Sequence, residues 1–240
     1  MVFIVAEIGV NWDGDFQLME KMIQSAKSAG CNAVKFQAYN LQNVKDHPER
    51  KRLLKSAITE SNIETVDSLA KKIGIEWFCT PMYPESVDFL NPYLGRLKVR
   101  EIDGRPLIQN KLTPLLEKIL NSGKEIIISS QVSPITSEYY KNSSIRWLYC
   151  VPKYPCSLEM LNFENFQDFD GYSNHTPDAI APLTASILGA RIIEIHITSD
   201  KTKNYFDNNV SFDNNELEKL VDMIRSTERI TRHHSDIRKI

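Results

Sequence analysis

Short apolar segments alternate with longer amphipathic segments along almost the whole chain, and this alternation limits the fold more than any other feature. Eight of the apolar segments are predicted to be β-strands, because most are rich in Val, Ile and Phe and are apolar at successive positions. Strands of this kind are covered on both faces, which is typical of parallel sheets. The predicted strands cover residues 3–7, 33–37, 76–80, 96–99, 126–129, 147–150, 171–173 and 191–196.

The segments between the predicted strands carry helix signals. Ser61 and Glu64 predict a capping box, and Thr176 before Pro177 predicts a helix N-cap. Apolar residues at helical spacing predict a first and a last amphipathic helix, with Met19, Met22, Ile23 and Ala26 in the first and Leu217, Leu220, Val221 and Ile224 in the last. Strands that alternate with helices favour either a closed (β/α)₈ barrel or an open doubly wound sheet.

The turn after the first strand favours the barrel. An open dinucleotide-binding sheet is expected to carry the pattern G-x-G-x-x-G at this point, whereas residues 9–14 read GVNWDG. The chain length of 240 residues also suits a barrel, which has about 250 residues. The predicted fold class is therefore α/β, a (β/α)₈ TIM barrel that forms a single domain over residues 1–240.

Charge and cysteine content exclude several classes of protein. The formal net charge is -2 and the basic residues are spread along the chain, which argues against the basic face of a nucleic-acid-binding protein. No apolar run approaches the roughly 18 residues of a membrane span, and the start of the chain does not resemble a signal peptide. The four cysteines, Cys31, Cys79, Cys150 and Cys156, lack CxxC spacing and are expected to be buried free thiols. We therefore expect a cytoplasmic protein with neither a membrane segment nor a nucleic-acid partner.

Polar residues lie where the predicted strands end, and barrel enzymes build their active sites at the C-terminal ends of strands. The candidates are Glu7, Lys35, Gln37, Thr80, Lys98, Ser129, Ser173 and His196, with His175 just beyond the seventh strand. Lys35 and Lys98 stand inside apolar strands, where an ammonium is costly to bury unless an anion pairs with it. These lysines and the nearby hydroxyls predict a phosphate or carboxylate site, and structural ion pairs with Glu7 or Glu101 are the alternative.

Two further features point to the same end of the barrel. His175 and His196 follow neighbouring strands and could bind one ion, with Mn²⁺, Fe²⁺, Co²⁺ or Zn²⁺ favoured over Ca²⁺. Glu194 points to the same side of its strand as His196 and could support it or act as a further ligand. The long segment of residues 38–60 follows the second strand and is expected on the active-site face. Its charged run, residues 47–52, is expected to be a solvated surface.

Eight segments match the patterns of one known family in order and spacing. They are AEIGVN at residues 6–11, AVKFQ at 33–37, CTP at 79–81, Lys98, ISS at 128–130, YP at 154–155, GYSNHT at 171–176 and IEIHIT at 193–198. Together they resemble the N-acetylneuraminate synthase family, which makes sialic acids and related nonulosonic acids. The similarity runs from residue 4 to about residue 225.

The resemblance implies a transferase that joins phosphoenolpyruvate to the open-chain aldehyde of an N-acylated amino sugar or a related aldose. The products would be a sialic acid-like 2-keto-3-deoxy sugar acid and phosphate. The implied phosphoenolpyruvate ligands are Lys35, Thr80, Lys98, Ser129 and Ser173, the implied sugar contacts are Gln37, Tyr154 and Asp207, and Glu7 would position or deprotonate reacting groups. His175 and His196 would bind a divalent metal ion, Mn²⁺ first with Mg²⁺ or Co²⁺ as alternatives, which would polarise the aldehyde.

The chain also departs from the family pattern. Trp12 stands where members carry His, Glu101 replaces a small hydroxyl residue, and Pro152 replaces a polar one. Members typically continue into a small antifreeze-like domain, so we expect a homodimer or a separate chain to complete the sugar site. The alternative functions are a divergent barrel aldolase or isomerase and a non-catalytic ligand-binding barrel.

Overall fold

The computed structural model describes the backbone of residues 1–237 and the side chains of residues 1–230. In this part of the chain, eight parallel strands follow one another around a closed barrel, and β8 pairs with β1. The strands are β1 (Phe3–Glu7), β2 (Ala33–Ala38), β3 (Glu76–Pro81), β4 (Arg96–Val99), β5 (Glu125–Ser130), β6 (Ile145–Tyr149), β7 (Gly171–Asn174) and β8 (Ile192–His196). The predicted TIM-barrel fold class is confirmed. The largest error in a strand boundary is two residues, at the start of β6.

Helices cover most of the outside of the barrel. They are α1 (Phe16–Ser28), α2 (Leu41–Val44), α3 (Arg50–Leu53), α4 (Ile63–Ile73), α5 (Pro84–Leu90), α6 (Glu101–Ile108), α7 (Pro114–Leu120), α8 (Ile180–Ile187) and α9 (Asn214–Ile237). The apolar residues that predicted the first and last helices are all buried against the barrel. Among the described residues, no helix combines the length and the apolar character that a membrane crossing requires.

Two predicted helix starts are wrong. Helix α4 begins at Ile63 rather than after Ser61, because the Asn62 side chain closes the preceding turn by accepting the N–H of Thr59 and donating to the carbonyl of Ala57. Helix α8 begins at Ile180, and not directly after Thr176. The hydroxyl of Thr176 is instead used in a local turn with Asp178.

The prediction of a helix after every strand is also wrong for two connections. In place of α-helices, the β5–β6 and β6–β7 connections contain short 3₁₀ turns at Pro134–Thr136, Leu158–Met160 and Phe166–Asp168. Aromatic side chains cover the outer face of β6 and β7 there. Tyr149 packs against Phe163 and Phe169 with ring centroids 5.4 and 5.5 Å apart, and such rings bury a large apolar area without a helix.

The inside of the barrel changes from apolar to polar along the strands. One inward-facing layer consists of Val5, Ala33, Phe78, Ile127, Leu148 and Ile192. Because side chains alternate along a strand, the next inward position lies two residues further on, and it is occupied by Glu7, Lys35, Thr80, Ser129, Cys150 and Glu194. All four cysteines are buried and free, as predicted. The apolar layer therefore forms the floor beneath a layer of polar side chains at the C-terminal ends of the strands.

We predict that Gly171→Ala strongly destabilises the barrel. A Cβ atom at this position would lie 1.9 Å from the carbonyl oxygen of Ile192 in β8, and two paired strands cannot separate locally without loss of packing. The free energy of unfolding should fall by about 3 kcal/mol or more, measured by denaturant titration. The control is Gly95→Ala, where a Cβ would meet no atom within 4 Å. Similar stabilities for both variants would contradict the close approach of β7 and β8.

Candidate active site

The polar layer faces a cavity of about 520 Å³ at the C-terminal ends of the strands. Every site residue predicted from the sequence lines this cavity: Glu7, Lys35, Gln37, Thr80, Lys98, Ser129, Tyr154, Ser173, His175, His196 and Asp207. The strands place most of these side chains, whereas Tyr154, His175 and Asp207 lie in the loops that follow β6, β7 and β8. The structure thus brings the whole predicted set together.

Lys35 is buried and paired with carboxylates. Its Nζ lies 2.9 Å from Oε2 of Glu7 and 3.7 Å from Oε2 of Glu194. Burial alone would lower the pKa of Lys35, but the two carboxylates outweigh it and raise that pKa. The structural ion pair with Glu7, which was the alternative to an anion site, is therefore present. Lys35 also donates a hydrogen bond of 3.1 Å to the hydroxyl of Thr80.

Lys98 is buried with less compensation. Its Nζ donates to Oγ of Ser129 at 2.6 Å and to the carbonyl of Val99 at 3.2 Å, while Oε1 of Glu194 is 3.9 Å away. Burial lowers the pKa of Lys98 below its usual value. An anion that entered beside this ammonium would supply the charge that the protein only partly provides.

The three hydroxyl groups of the layer are not equivalent. The hydroxyl oxygens of Thr80 and Ser129 each accept a hydrogen bond from a lysine ammonium, so each hydroxyl keeps its own proton to donate. Ser173 instead donates its proton to Oε1 of Glu194 at 2.8 Å. Thr80 and Ser129 can therefore donate to an anion that enters the cavity, whereas Ser173 would first have to leave Glu194.

The two buried carboxylates have opposite pKa shifts. For Glu194, burial would raise the pKa, but Lys35 and Lys98 lower it to about 2. For Glu7, burial raises the pKa despite the attraction of Lys35. Glu194 therefore stays ionised, and Glu7 takes up a proton more readily. Such a split between neighbouring carboxylates is typical of acid–base sites.

Two imidazoles meet on one side of the cavity, with ring centroids 5.3 Å apart. Burial lowers the pKa of His175 to about 3, so the ring is neutral at pH 7. Its Nδ1 donates to the carbonyl of Val151 at 2.8 Å, which leaves the lone pair on Nε2, and Nε2 accepts from the hydroxyl of Tyr154 at 2.7 Å. Nδ1 of His196 lies 3.3 Å from Oδ2 of Asp207.

Two residues of the first loop hold the site together. Gly9 has a φ of 52°, and a Cβ there would lie 2.9 Å from Oε1 of Glu7. Asn11 is fully buried; its Nδ2 donates to the carbonyl of Ile197, and its Oδ1 accepts the N–H of Asp207 at 3.0 Å. The β1 turn therefore leaves space for the carboxylate of Glu7 and holds the loop that carries Asp207.

Two of the three departures from the family pattern have structural explanations, whereas nothing in the structure explains Pro152. Glu101 lines the cavity, but its carboxylate is bound by Arg105, with Nε 2.8 Å from Oε1 and an Nη 2.7 Å from Oε2. The positive charge that an acidic residue near an anion site needs is therefore supplied by Arg105. Trp12 is buried, and its Nε1 donates to the carbonyl of Ser56 at 3.1 Å. It supports the segment after β2 rather than the cavity wall.

Sequence analysis missed part of the cavity lining. Glu194 was expected to support His196 or to act as a further metal ligand, and instead it pairs with Lys35 and Lys98 in the polar layer. The other missed residues include Val10, His47, Leu53, Met82, Cys150 and Phe206. Most of these lie in loops, where no periodic pattern indicates which way a side chain points. The charged run at residues 47–52 is largely exposed, as predicted.

We predict that Asn11→Asp destabilises the fold, because it places a carboxylate against the carbonyl oxygen of Ile197 and removes two buried donor contacts. The free energy of unfolding at pH 7 should fall by about 2–4 kcal/mol in denaturant titrations. The exposed Asn165 offers the control Asn165→Asp, which should change stability by less than about 0.5 kcal/mol. Equal losses of stability in the two variants would show that Asn11 does not stabilise the contact between the turn after β1 and the loop that carries Asp207.

Comparison with known proteins agrees with this geometry. A sequence profile of the NeuB family matches residues 22–236. The chain is 32% identical to N,N'-diacetyllegionaminic acid synthase of Legionella pneumophila over 95% of its own length and 72% of that protein. It is 29% identical to N-acetylneuraminate-9-phosphate synthase of Mus musculus over 95% and 70%.

Comparison with a solved structure supports the same family. The fold superposes on N-acetylneuraminic acid (sialic acid) synthetase from Leptospira borgpetersenii, crystallised in complex with citrate, with a TM-score of 0.84 and 30% identity. The match covers 96% of this chain and 85% of that one. The family profile, the sequence identities and the fold all agree with the resemblance that the strand-end motifs indicated. The chain belongs to the NeuB family.

Proposed function

We propose that this chain is a transferase that condenses phosphoenolpyruvate with the open-chain aldehyde of an N-acylated amino sugar or a related aldose. The products are a sialic acid-like 2-keto-3-deoxy sugar acid and inorganic phosphate. One observation carries the proposal. Two buried lysines, each hydrogen-bonded to a hydroxyl group, lie in the same cavity as two buried imidazoles. The names of the relatives, which are synthases of sialic and legionaminic acids, support it.

The lysine–hydroxyl pairs suit the anionic groups of phosphoenolpyruvate. Lys98, whose ammonium has the weaker compensation, and Ser129 offer charge-assisted hydrogen bonds to one group. Lys35 and Thr80 offer the same combination on the adjacent strands. Glu194 lies 3.7 and 3.9 Å from the two ammonium groups, so its carboxylate compensates part of the charge of both lysines.

His175 and His196 fit a divalent metal ion. The two imidazoles would be the protein donors, and substrate and water would complete the coordination; among the described residues, no three His, Cys, Asp or Glu side chains form a metal-binding group. The hydrogen bond from Nδ1 of His175 to the carbonyl of Val151 leaves Nε2 as the atom that would bind the ion, and the hydroxyl of Tyr154, which donates to Nε2 in this structure, would then give way. A bound Mn²⁺, Mg²⁺ or Co²⁺ would polarise the aldehyde oxygen as a Lewis acid.

The remaining chemistry balances with the groups present. A bond forms between carbon 3 of phosphoenolpyruvate and the aldehyde carbon, water adds at carbon 2, and the bond from carbon 2 to the phosphate oxygen breaks to leave a ketone. The two protons of the water end on the aldehyde oxygen and on the released phosphate. Glu7 is buried, has a raised pKa and accepts a 2.7 Å hydrogen bond from Nε2 of Gln37. It is therefore oriented to hold or release a proton during these steps. Gln37, Tyr154 and Asp207 line the cavity and would contact the acceptor sugar.

The proposal predicts phosphate release that requires Mn²⁺, phosphoenolpyruvate and an aldose together. A colorimetric phosphate assay with N-acetylmannosamine and its 6-deoxy diamino relatives checks this, with each component omitted in turn. Turnover without phosphoenolpyruvate would indicate an aldolase or isomerase instead. Saturable binding of phosphoenolpyruvate with no product from any aldose would indicate a non-catalytic binding barrel.

We predict that Lys98→Met weakens the binding of phosphoenolpyruvate about tenfold to a hundredfold, measured by calorimetry at pH 7, because one charge-assisted contact is lost. The exposed Lys153 provides the control Lys153→Met, which should leave the affinity unchanged. Near-normal affinity in Lys98→Met would reject the assigned anion site.

The lowered pKa of Lys98 also predicts a pH dependence. A lysine is charged below its pKa, so the binding of phosphoenolpyruvate should weaken with rising pH before the usual lysine value of about 10.4 is reached. Lys35 keeps its charge throughout this range because its pKa is raised. Calorimetric titrations between neutral and alkaline pH should show this loss in the wild type and not in Lys98→Met. The same alkaline loss in both proteins would assign it to another group.

A further inference from the structure

Two arginines at the start of α6 line the same cavity as the buried lysines, but their carboxylate partners lie in different places. Arg105 binds Glu101, and both members of this pair line the cavity. Arg100 binds Asp103, with Nε 2.6 Å from Oδ2, and Asp103 is not among the cavity-lining residues of the described chain. The pair of Glu101 and Arg105 therefore holds a guanidinium at the cavity wall.

Glu101 uses only part of the guanidinium of Arg105. Nε lies 2.8 Å from Oε1 of the carboxylate, and Nη2 lies 2.7 Å from Oε2. A guanidinium has five N–H groups in a planar fork. The two N–H groups of Nη1 therefore remain, and they have no hydrogen-bond partner among the described residues. Because the Arg105 side chain is 55% exposed, an anion can reach this edge of it.

Close packing places this turn of α6 beside Ser129. Gly104 directly precedes Arg105, and a Cβ atom at Gly104 would lie 2.7 Å from Cγ2 of Ile128 and 3.4 Å from the carbonyl oxygen of Ser129. The hydroxyl of Ser129 accepts the 2.6 Å hydrogen bond from Nζ of Lys98. The turn that carries Glu101 and Arg105 therefore borders the part of the polar layer that contains Lys98 and Ser129.

The charge of Glu101 acts on the same part of the polar layer. Burial raises the pKa of the Cys150 thiol to about 12, Lys98 lowers it, and the carboxylates of Glu194 and Glu101 raise it. A carboxylate that acts at this range on Cys150 would also repel an anion bound by Lys98. Binding of an anion there therefore needs a cation on the same side, and Arg105 is placed to provide it.

We propose that Arg105 is a further binding residue for phosphoenolpyruvate. Glu101 holds one edge of its guanidinium, and the other edge donates to the anionic group that Lys98 and Ser129 bind. This inference rests on the condensation proposed above. The planar fork of a guanidinium matches the oxygens of a phosphate or a carboxylate. Arg105 thereby adds a donor on the side where Glu101 replaces the small hydroxyl residue of the family pattern.

The first test measures the affinity for phosphoenolpyruvate by calorimetry at pH 7. Arg105→Met should weaken binding about tenfold or more, because one charge-assisted contact is lost. Arg100→Met removes the same charge from the same turn and should weaken binding less than about fivefold. Arg191→Met, at a side chain that is 78% exposed and precedes β8, should leave the affinity unchanged. Equal losses in Arg105→Met and Arg100→Met, or normal affinity in Arg105→Met, would overturn the inference.

A double variant separates a direct contact from simple neutralisation of Glu101. Glu101→Ser combined with Arg105→Met removes both members of the pair and leaves the net charge unchanged. If Arg105 only neutralised Glu101, this variant would recover the wild-type affinity, and that result would overturn the inference. We expect the double variant to remain about tenfold weaker than the wild type, because the donors of Arg105 are still missing.

The inference and the proposed function fail in different ways. Absence of phosphoenolpyruvate binding by the wild type would overturn the anion site, and the role of Arg105 with it. Binding that is lost in Lys98→Met but normal in Arg105→Met would overturn the role of Arg105 alone. Thermal unfolding of each variant checks that the fold is retained, as the exposure of the Arg105 side chain predicts.

Discussion

Two ammonium groups lie inside the barrel, directly above an apolar layer, and the rest of the site depends on how their charge is balanced. Lys35 and Lys98 are almost completely buried, and so are Glu7 and Glu194. Buried charges are tolerated only when they are paired and hydrogen-bonded. When all four groups are ionised, their charges cancel. A phosphoenolpyruvate that enters this layer brings excess negative charge, which proton uptake by Glu7 and a dication on the imidazoles would offset.

The loops also pair polar and charged groups at the mouth of the cavity. Asn11 joins the turn after β1 to the loop that carries Asp207, and Arg105 neutralises Glu101 at the start of α6. The segment after β2 adds an apolar surface fixed by Arg52. The strands thus provide a charged layer that suits an anion. The loops provide the mouth of the cavity, where the arginines are paired with carboxylates and one side is apolar.

The strands and the polar layer could be predicted from sequence because a two-residue period dictates which side chains face inward. Lys35 and Lys98 are unusual in the sequence because each interrupts an apolar strand. Both line the cavity in the structure. The wrong predictions concern helix starts and connections, which the two-residue period of the strands does not describe. The starts of α4 and α8 were set by side-chain turns at Asn62 and Thr176. The connections around β6 use aromatic packing instead of helices, and a helical period could not reveal that.

The loop residues of the site could not be predicted from the sequence for the same reason. Met82 and Phe206 lie in segments without periodicity, so their place in the cavity depends on tertiary contacts that the sequence does not express. The role of Glu101 was open for the same reason, because its partner Arg105 is one helical turn away and only the folded helix orients the pair. The pairing of Lys35 and Lys98 with buried carboxylates likewise depends on the folded barrel, which brings these strands together.

The central claim is that the buried lysine–hydroxyl layer is the binding site for phosphoenolpyruvate. A crystal structure of the protein soaked with phosphoenolpyruvate and Mn²⁺ tests it most directly. We expect oxygen atoms of the ligand at hydrogen-bonding distance from Nζ of both Lys35 and Lys98, with the metal ion bound by His175 and His196. A ligand bound elsewhere, with the contacts of both lysines to Glu7, Thr80 and Ser129 unchanged, would contradict the claim.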